Sequence, residues 1–251
     1  MKRLLDCDTS DLKKMNKEER LAAIEASEGR LLIQELSLFQ QTQLLEPLSD
    51  AEIACAFGAD MLLLNAFDCN APQIPGIECE AEEVIRKLSA YTGRFIGVNL
   101  EPVGNSSLLS ERSALPAGRM ATVENAEKVK KLGFDYIVLT GNPGTGVDNT
   151  AIIKALQEMR AVVGDDLILM AGKMHAAGSK TEAGCNIINK EQIHAFISAG
   201  ADVILLPAPG TVPGITFEFI SEMIAYVHSL GKLTLTAIGT SQEGASAATI
   251  E

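Results

Sequence analysis

Tryptophan is absent from the 251 residues, and aromatic residues make up only 4%. A protein that stacks bases on aromatic platforms needs more. No stretch approaches the ~20 apolar residues of a membrane-spanning helix. The N-terminal MKRLLDCDTSDLKK has only Leu4-Leu5 as its apolar run, too short for a secretory signal. The five cysteines (7, 55, 69, 79 and 185) are odd in number, none is spaced as CxxC, and no histidines cluster near them. That excludes a disulfide framework and a structural zinc site, and points to reduced thiols in a cytoplasm. Basic residues are outnumbered 21 to 33, for a net charge of −12. Duplex DNA and anionic membranes select the opposite sign. No GxGxxG opens a βα unit, so dinucleotide redox chemistry is disfavoured. The partner expected is a small anionic metabolite, with neither nucleic acid nor membrane; a homo-oligomer is left open.

What is present is an ordinary globular composition, 47% hydrophobic and 22% charged. Short apolar runs alternate with amphipathic ones along the whole chain. Strands are predicted at 31–38, 61–67, 95–100, 136–140, 167–173, 203–207 and 233–238, most of them apolar at consecutive positions, as buried parallel strands are. Helix starts are marked by Ser49 with Glu52, Asn189 with Gln192, Asn149 and Thr216. Glycines at 58, 93, 133, 164, 200 and 231 mark helix ends. Strict βα alternation predicts a parallel sheet covered by helices, either a (β/α) barrel or an open doubly wound sheet.

An internal repeat favours the barrel. The second, fourth and sixth strands open as FGADMLLLN, LGFDYIVLT and AGADVILLP. The odd strands instead follow Gly29, Gly93, Gly164 and Gly231, spaced 64, 71 and 67 residues apart. Odd–even alternation is the layering of a TIM barrel. An eighth strand is expected about 30–40 residues beyond Gly231, past Glu251. The reading is therefore a (β/α)8 barrel over 29–251 that lacks its last βα unit, behind a helical extension over 1–28. The helix at 11–28 is expected to cover the barrel floor.

In such a barrel the chemistry lies at the C-terminal strand ends. There the sequence turns polar. Residues two apart share a face, and Leu31/Ile33/Glu35, Leu63/Asn65, Phe95/Gly97/Asn99/Glu101 and Leu169/Ala171/Lys173/His175 carry polar groups on the parity of apolar ones. With Thr140 and Asn142, these predict a ring at the barrel mouth. Lys173, His175, Glu101 and Glu35 are the catalytic candidates, and Asn65, Asn99, Thr140 and Asn142 bind substrate. His175, at a strand end, suits acid/base work. His194 and His228 fall in amphipathic helices and read as surface or packing residues. Lys173 is expected beside Glu101, Asn99 and Asn142, charged, as an anion clamp more than a Schiff-base nucleophile. Asp68 and Glu101 are candidate Mg2+ ligands through their oxygens. Glycine-rich turns at 141–146, 209–214 and 239–244 precede helix starts, where backbone amides bind anions. They nominate Gly210, Thr211, Gly239, Thr240 and Ser241. The long segments 102–121 and 176–188 have the length of lids.

Two resemblances follow. Leu4-Leu5-Asp6-Cys7-Asp8-Thr9-Ser10 resembles the first motif of haloacid dehalogenase-like hydrolases, which would make Asp6 the nucleophile and Asp8 an acid/base beside Mg2+. The acidic Gly164-Asp165-Asp166 stands before Lys173, the reverse of that family's order, and a polar turn capping a helix is the preferred reading of 4–10. Over 29–245 the layout is similar to phosphate- and carboxylate-binding TIM barrels of the phosphoenolpyruvate mutase and isocitrate lyase group. That resemblance implies a lyase or isomerase acting on a small phosphorylated or carboxylated metabolite. The group's Lys-Cys-Gly-His signature is absent, and Lys173-Met174-His175 is the nearest sequence to it. A non-catalytic anion-binding sensor is the alternative from a different class.

Overall fold

The computed structural model describes residues 2–39, 42–104, 114–239, 246 and 248. Seven strands form one sheet in chain order: β1 (Ile33–Ser37), β2 (Met61–Asn65), β3 (Phe95–Leu100), β4 (Tyr136–Leu139), β5 (Ile168–Gly172), β6 (Val203–Pro207) and β7 (Leu233–Ala237). Pairing is parallel in the registers Ile33↔Met61, Met61↔Phe95, Met170↔Val203 and Val203↔Leu233. The helices are α1 (Thr9–Leu12), α2 (Lys17–Glu25), α3 (Asp50–Ala56), α4 (Val84–Thr92), α5 (Val123–Leu132), α6 (Asn149–Val163), α7 (Lys190–Ser198) and α8 (Phe217–Ser229). Sequential parallel strands joined by helices are the topology of a (β/α)8 barrel through its seventh strand. Among the described residues there is no eighth.

The elements start and stop for local reasons. Ser49 accepts from the Glu52 amide while the Glu52 side chain returns to Ser49 N–H, a complete capping box on α3. Asn189 and Thr216 cap α7 and α8 through the amides of Gln192 and Phe219. The cap of α6 is a correction: Asn149 lies inside the helix, and Asp148 Oδ1 accepts the Ala151 amide at 2.7 Å. Gly93 and Gly133 end α4 and α5 in the left-handed conformation. β2 stops at Asn65 rather than at 67 because Ala66 takes φ 63°. The single N-terminal helix expected at 11–28 is broken into α1 and α2.

The repeat has a structural cause. Asp60, Asp135 and Asp202 open β2, β4 and β6, and each carboxylate accepts an amide of the preceding odd strand: Leu32 at 2.9 Å, Ile96 at 2.9 Å and Leu169 at 3.0 Å. The same three aspartates donate their own amides to the Leu32, Ile96 and Leu169 carbonyls. Every Gly-X-Asp is thus a two-way clasp between an odd strand and the next even one. It extends the ladder past the strand start and satisfies backbone groups there.

The chain divides into two compact units. One comprises Met1–Leu100, Pro116–Val138 and Ala161–Ile168. In it β2 and β3 are buried along their whole length, and Phe67 meets Phe134 edge to face with ring centroids 5.3 Å apart. Tyr136 is fully buried, its hydroxyl donating to Leu62 O at 2.6 Å. A Cβ on Gly97 would stand 2.0 Å from that ring, so only glycine fits. Helix α2 is held to the N-terminal ends of the strands: Lys17 pairs with Asp165 at 2.6 Å, and Arg20 pairs with Asp135 at 3.4 Å and lies over Phe95. Leu4–Asp6, the would-be hydrolase strand, is a 3-10 turn. Asp6 pairs with Arg3, and Asp8 caps α1 by accepting from Ser10 and Asp11. A nucleophile at the end of a buried strand is therefore not built here, and the hydrolase resemblance is overturned.

The second unit comprises Glu101–Leu115, Leu139–Arg160 and Leu169–Glu251. Its core includes Leu169, Ala171, Ile204, Leu206, Phe196 and Val227, all fully buried. Arg160 of α6 donates to Gly200 O at 2.8 Å and to Asp202 at 2.5 Å, tying the helix to the start of β6.

Candidate functional site

The second unit gathers the segments that follow β3, β4 and β5. Val103 and Val147 form an antiparallel bridge, the Gly104 amide donates to Gly146 O at 2.9 Å, and the Gly146 amide donates to Ala177 O at 2.9 Å. The three connections are thereby laced together. Glu101, 1% exposed at the end of β3, accepts the Asn142 amide at 3.0 Å. Asn142 O in turn receives the Thr145 hydroxyl at 2.8 Å. The turn 141–146 is thus fixed by one buried carboxylate and by its own hydrogen bonds.

Lys173 follows β5 directly and is 2% exposed. The strand can end there because Gly172 passes Leu205 so closely that a Cβ would lie 2.0 Å from the Leu205 carbonyl oxygen. Its ammonium pairs with Glu182, in the segment after β5. That carboxylate also accepts the Asn149 amide, the first of α6, at 3.2 and 3.1 Å through its two oxygens. Burial lowers the Lys173 pKa, while Glu182 and then Asp148 oppose it. The carboxamide of Asn149 is 5% exposed, and among the described residues neither of its polar atoms has a hydrogen-bond partner.

His175 lies two residues on. Its Nδ1 accepts the Ala177 amide at 3.0 Å, which places the proton of the neutral ring on Nε2. Burial lowers its pKa, Lys173 adds to that, and Glu101 pulls the other way. At neutral pH the ring is uncharged, one nitrogen fixed by backbone and the other presenting an N–H donor.

The first unit holds a polar chain. Asn65 donates to Glu35 at 2.8 Å and Asn99 donates to Asn65 at 3.1 Å, a line across β1, β2 and β3. Asn99 is 3% exposed and its Oδ1 has no partner among the described residues. Glu35 is exposed, as befits a strand at one end of the sheet order. Of the sequence-predicted residues, Glu35, Asn65 and Asn99 are linked by hydrogen bonds in the first unit, and Glu101 is linked to Asn142 in the second, which also holds Lys173 and His175. Lys173 pairs with Glu182, a partner the sequence reading did not name. Thr140 is partly exposed beside Gly141. Gly210 and Thr211 turn back on their own loop through the Ile215 and Ala208 carbonyls, and Gly239 is buried after β7. Thr240 and Ser241 lie outside the described residues.

Sequence reading passed over Glu182 and the amide of Asn149. The available signal was that Glu182 is the single acid between Met174 and Ile188, just after a buried lysine. Among the described residues no three His, Cys, Asp or Glu side chains converge as metal ligands. Asp68 accepts the Asn70 amide at 2.8 Å beside Gly118, and Glu101 accepts the Asn142 amide. The described residues supply no ready-made cage for Mg2+. No described helix is long and apolar enough to cross a membrane.

Comparison with curated proteins gives no match. Solved structures do resemble the chain. A candidate lyase/mutase from Burkholderia cenocepacia J2315 superposes with a TM-score of 0.51 at 17% identity, over 89% of this chain and 74% of that one. 2,3-Dimethylmalate lyase, a member of the PEP mutase/isocitrate lyase superfamily, gives 0.50 at 12% identity, over 88% of this chain and 71% of that one. The likeness read from the sequence layout is thus present in the fold. Residues 5–251 match the sequence model described as "Domain of unknown function (DUF7916)", and the chain belongs to that family.

Proposed function

We propose that the chain is a lyase or isomerase of a small carboxylated or phosphorylated metabolite, working at the loops that follow β3, β4 and β5. The observation that carries this is the buried Lys173 beside the tautomer-fixed His175. Breaking or moving a bond next to a carboxylate leaves an electron pair that spreads onto oxygen. A fixed cation aimed at that charge stabilises it more than water would. Lys173 fits that task as an anion clamp. The same charge is met by a neutral donor, and His175 Nε2–H supplies one without adding a second cation beside Lys173. Glu101 holds the 141–146 turn and biases His175 electrostatically. The lyase and lyase/mutase of like fold support this class over redox chemistry. Five free cysteines suit a reducing cytoplasm.

The test is a turnover screen with 2-hydroxy, 2-oxo and phosphono acids, followed by NMR. Lys173→Met and His175→Gln each lower kcat by about 10²- to 10⁴-fold, and Glu101→Gln by less. An activity indifferent to all three variants sinks the site. One observation favours a second reading, a non-catalytic anion sensor: Glu182 already closes on Lys173. Ligand-induced thermal shifts without turnover across the whole screen would select it.

A further inference from the structure

We propose that the Glu182 carboxylate is a stand-in, occupying a subsite that takes the carboxylate of a substrate. Lys173, the first amide of α6 and the carboxamide of Asn149 form that subsite. The proposal rests on the reading of Lys173 as the group that holds substrate. Two oxygens share the Asn149 amide at 3.2 and 3.1 Å, and one of them also takes the ammonium. A planar carboxylate meets those donors; the unpaired, buried carboxamide of Asn149 leaves a further donor and acceptor for the rest of a ligand. One cation matches one negative charge. A phosphate would add a second charge close to Asp148, whose carboxylate already acts on Lys173.

A permanent structural pair would be a poor use of these groups. A buried ion pair seldom stabilises a fold more than apolar residues of the same volume. Here its acidic half comes from a segment with little to hold it: Lys180, Thr181, Ala183, Cys185 and Asn186 are exposed, and its regular structure is limited to the 3-10 turn Gly184–Ile187. Exchanging Glu182 for an external carboxylate conserves the charge around Lys173 and releases Glu182 to water.

The experiment is calorimetric titration of the full chain with acetate, malonate and inorganic phosphate. Glu182→Gln keeps the size of the side chain but removes the competing charge, and malonate affinity should rise about tenfold. Lys173→Met abolishes binding in either background, and Asn149→Ala weakens it in the Glu182→Gln chain. Unchanged or weaker malonate binding by Glu182→Gln, or a preference for phosphate, overturns the proposal. Should that variant fail to fold, amide exchange on the wild type decides: saturating malonate speeds exchange over Thr181–Cys185, and unchanged exchange, or no carboxylate binding at all, overturns it. Turnover without this competition would sink the subsite alone, whereas competition without turnover would sink the catalytic reading alone.

Discussion

At the scale of single residues, His175 gives the sharpest prediction. Its folded pKa lies below the ordinary histidine value, so its share of stability is present above about 6.5 and is lost as pH falls through the lowered value. The neutral ring is the donor, and protonation at Nδ1 would cost the Ala177 bond, so the acid limb of kcat/KM lies below pH ~6.5 too. Lys173 pushes the pKa down and Glu101 pushes it up. In the pH profile, Lys173→Met therefore moves the limb up and Glu101→Gln moves it down; shifts in the same direction would refute the assignment. Asp135 behaves in the opposite sense. Burial raises its carboxyl to about 6 against Arg20 and the Ile96 amide. Its stabilising share is full below the unfolded value near ~4 and disappears as pH rises through 6. Urea unfolding of Asp135→Asn should show a flatter stability profile between those limits. Strand-end parity nominated Lys173, His175 and Glu101 because a polar residue in phase with apolar ones is visible in the sequence. The role of Glu182 was not visible, because it depends on how an irregular segment folds back. A backbone amide such as that of Asn149 leaves no trace in residue identity.

At the scale of elements, the seven strands and most helix ends were legible because each rests on local signals: consecutive apolar residues, side-chain caps and terminal glycines. The misplaced cap of α6 shows the limit. Asp148 and Asn149 are both good caps by type, and the choice fell to Glu182, which draws the Asn149 amide. The Gly-X-Asp repeat was legible as pattern but not as purpose; its aspartates work at the strand starts, at the end opposite the site residues. Removing Asp202 leaves the buried Leu169 amide unmet, at about 1–3 kcal/mol, whereas the Leu32 amide held by Asp60 is exposed. Asp202→Ala should cost more than Asp60→Ala, since it also removes the Arg160 contact, and thermal unfolding will rank them. Gly97→Ala forces the Tyr136 ring aside and off Leu62 O, with a loss of about 1–3 kcal/mol in the same assay.

For the whole molecule, the barrel topology was readable from the odd–even alternation, whereas the division into two compact units has no counterpart in composition. Thiol chemistry offers a global check on the packing. Burial pushes Cys69 up to about 12, while Cys79 and Cys185 are exposed. Iodoacetamide should label Cys79 and Cys185 in the native chain and spare Cys69 until denaturant is added; early labelling of Cys69 would contradict this core. The aspartate clasps carry a consequence for how the chain is made. They close loops of 28, 39 and 33 residues, all short on the scale of the chain. Closing a short loop costs little entropy, and contacts of low sequence separation favour rapid folding. The Leu32–Asp60 clasp has all its partners before α4 is synthesised, so β1, α3 and β2 can assemble while the rest of the chain is still on the ribosome, with each later aspartate fastening the next pair of strands in order of synthesis.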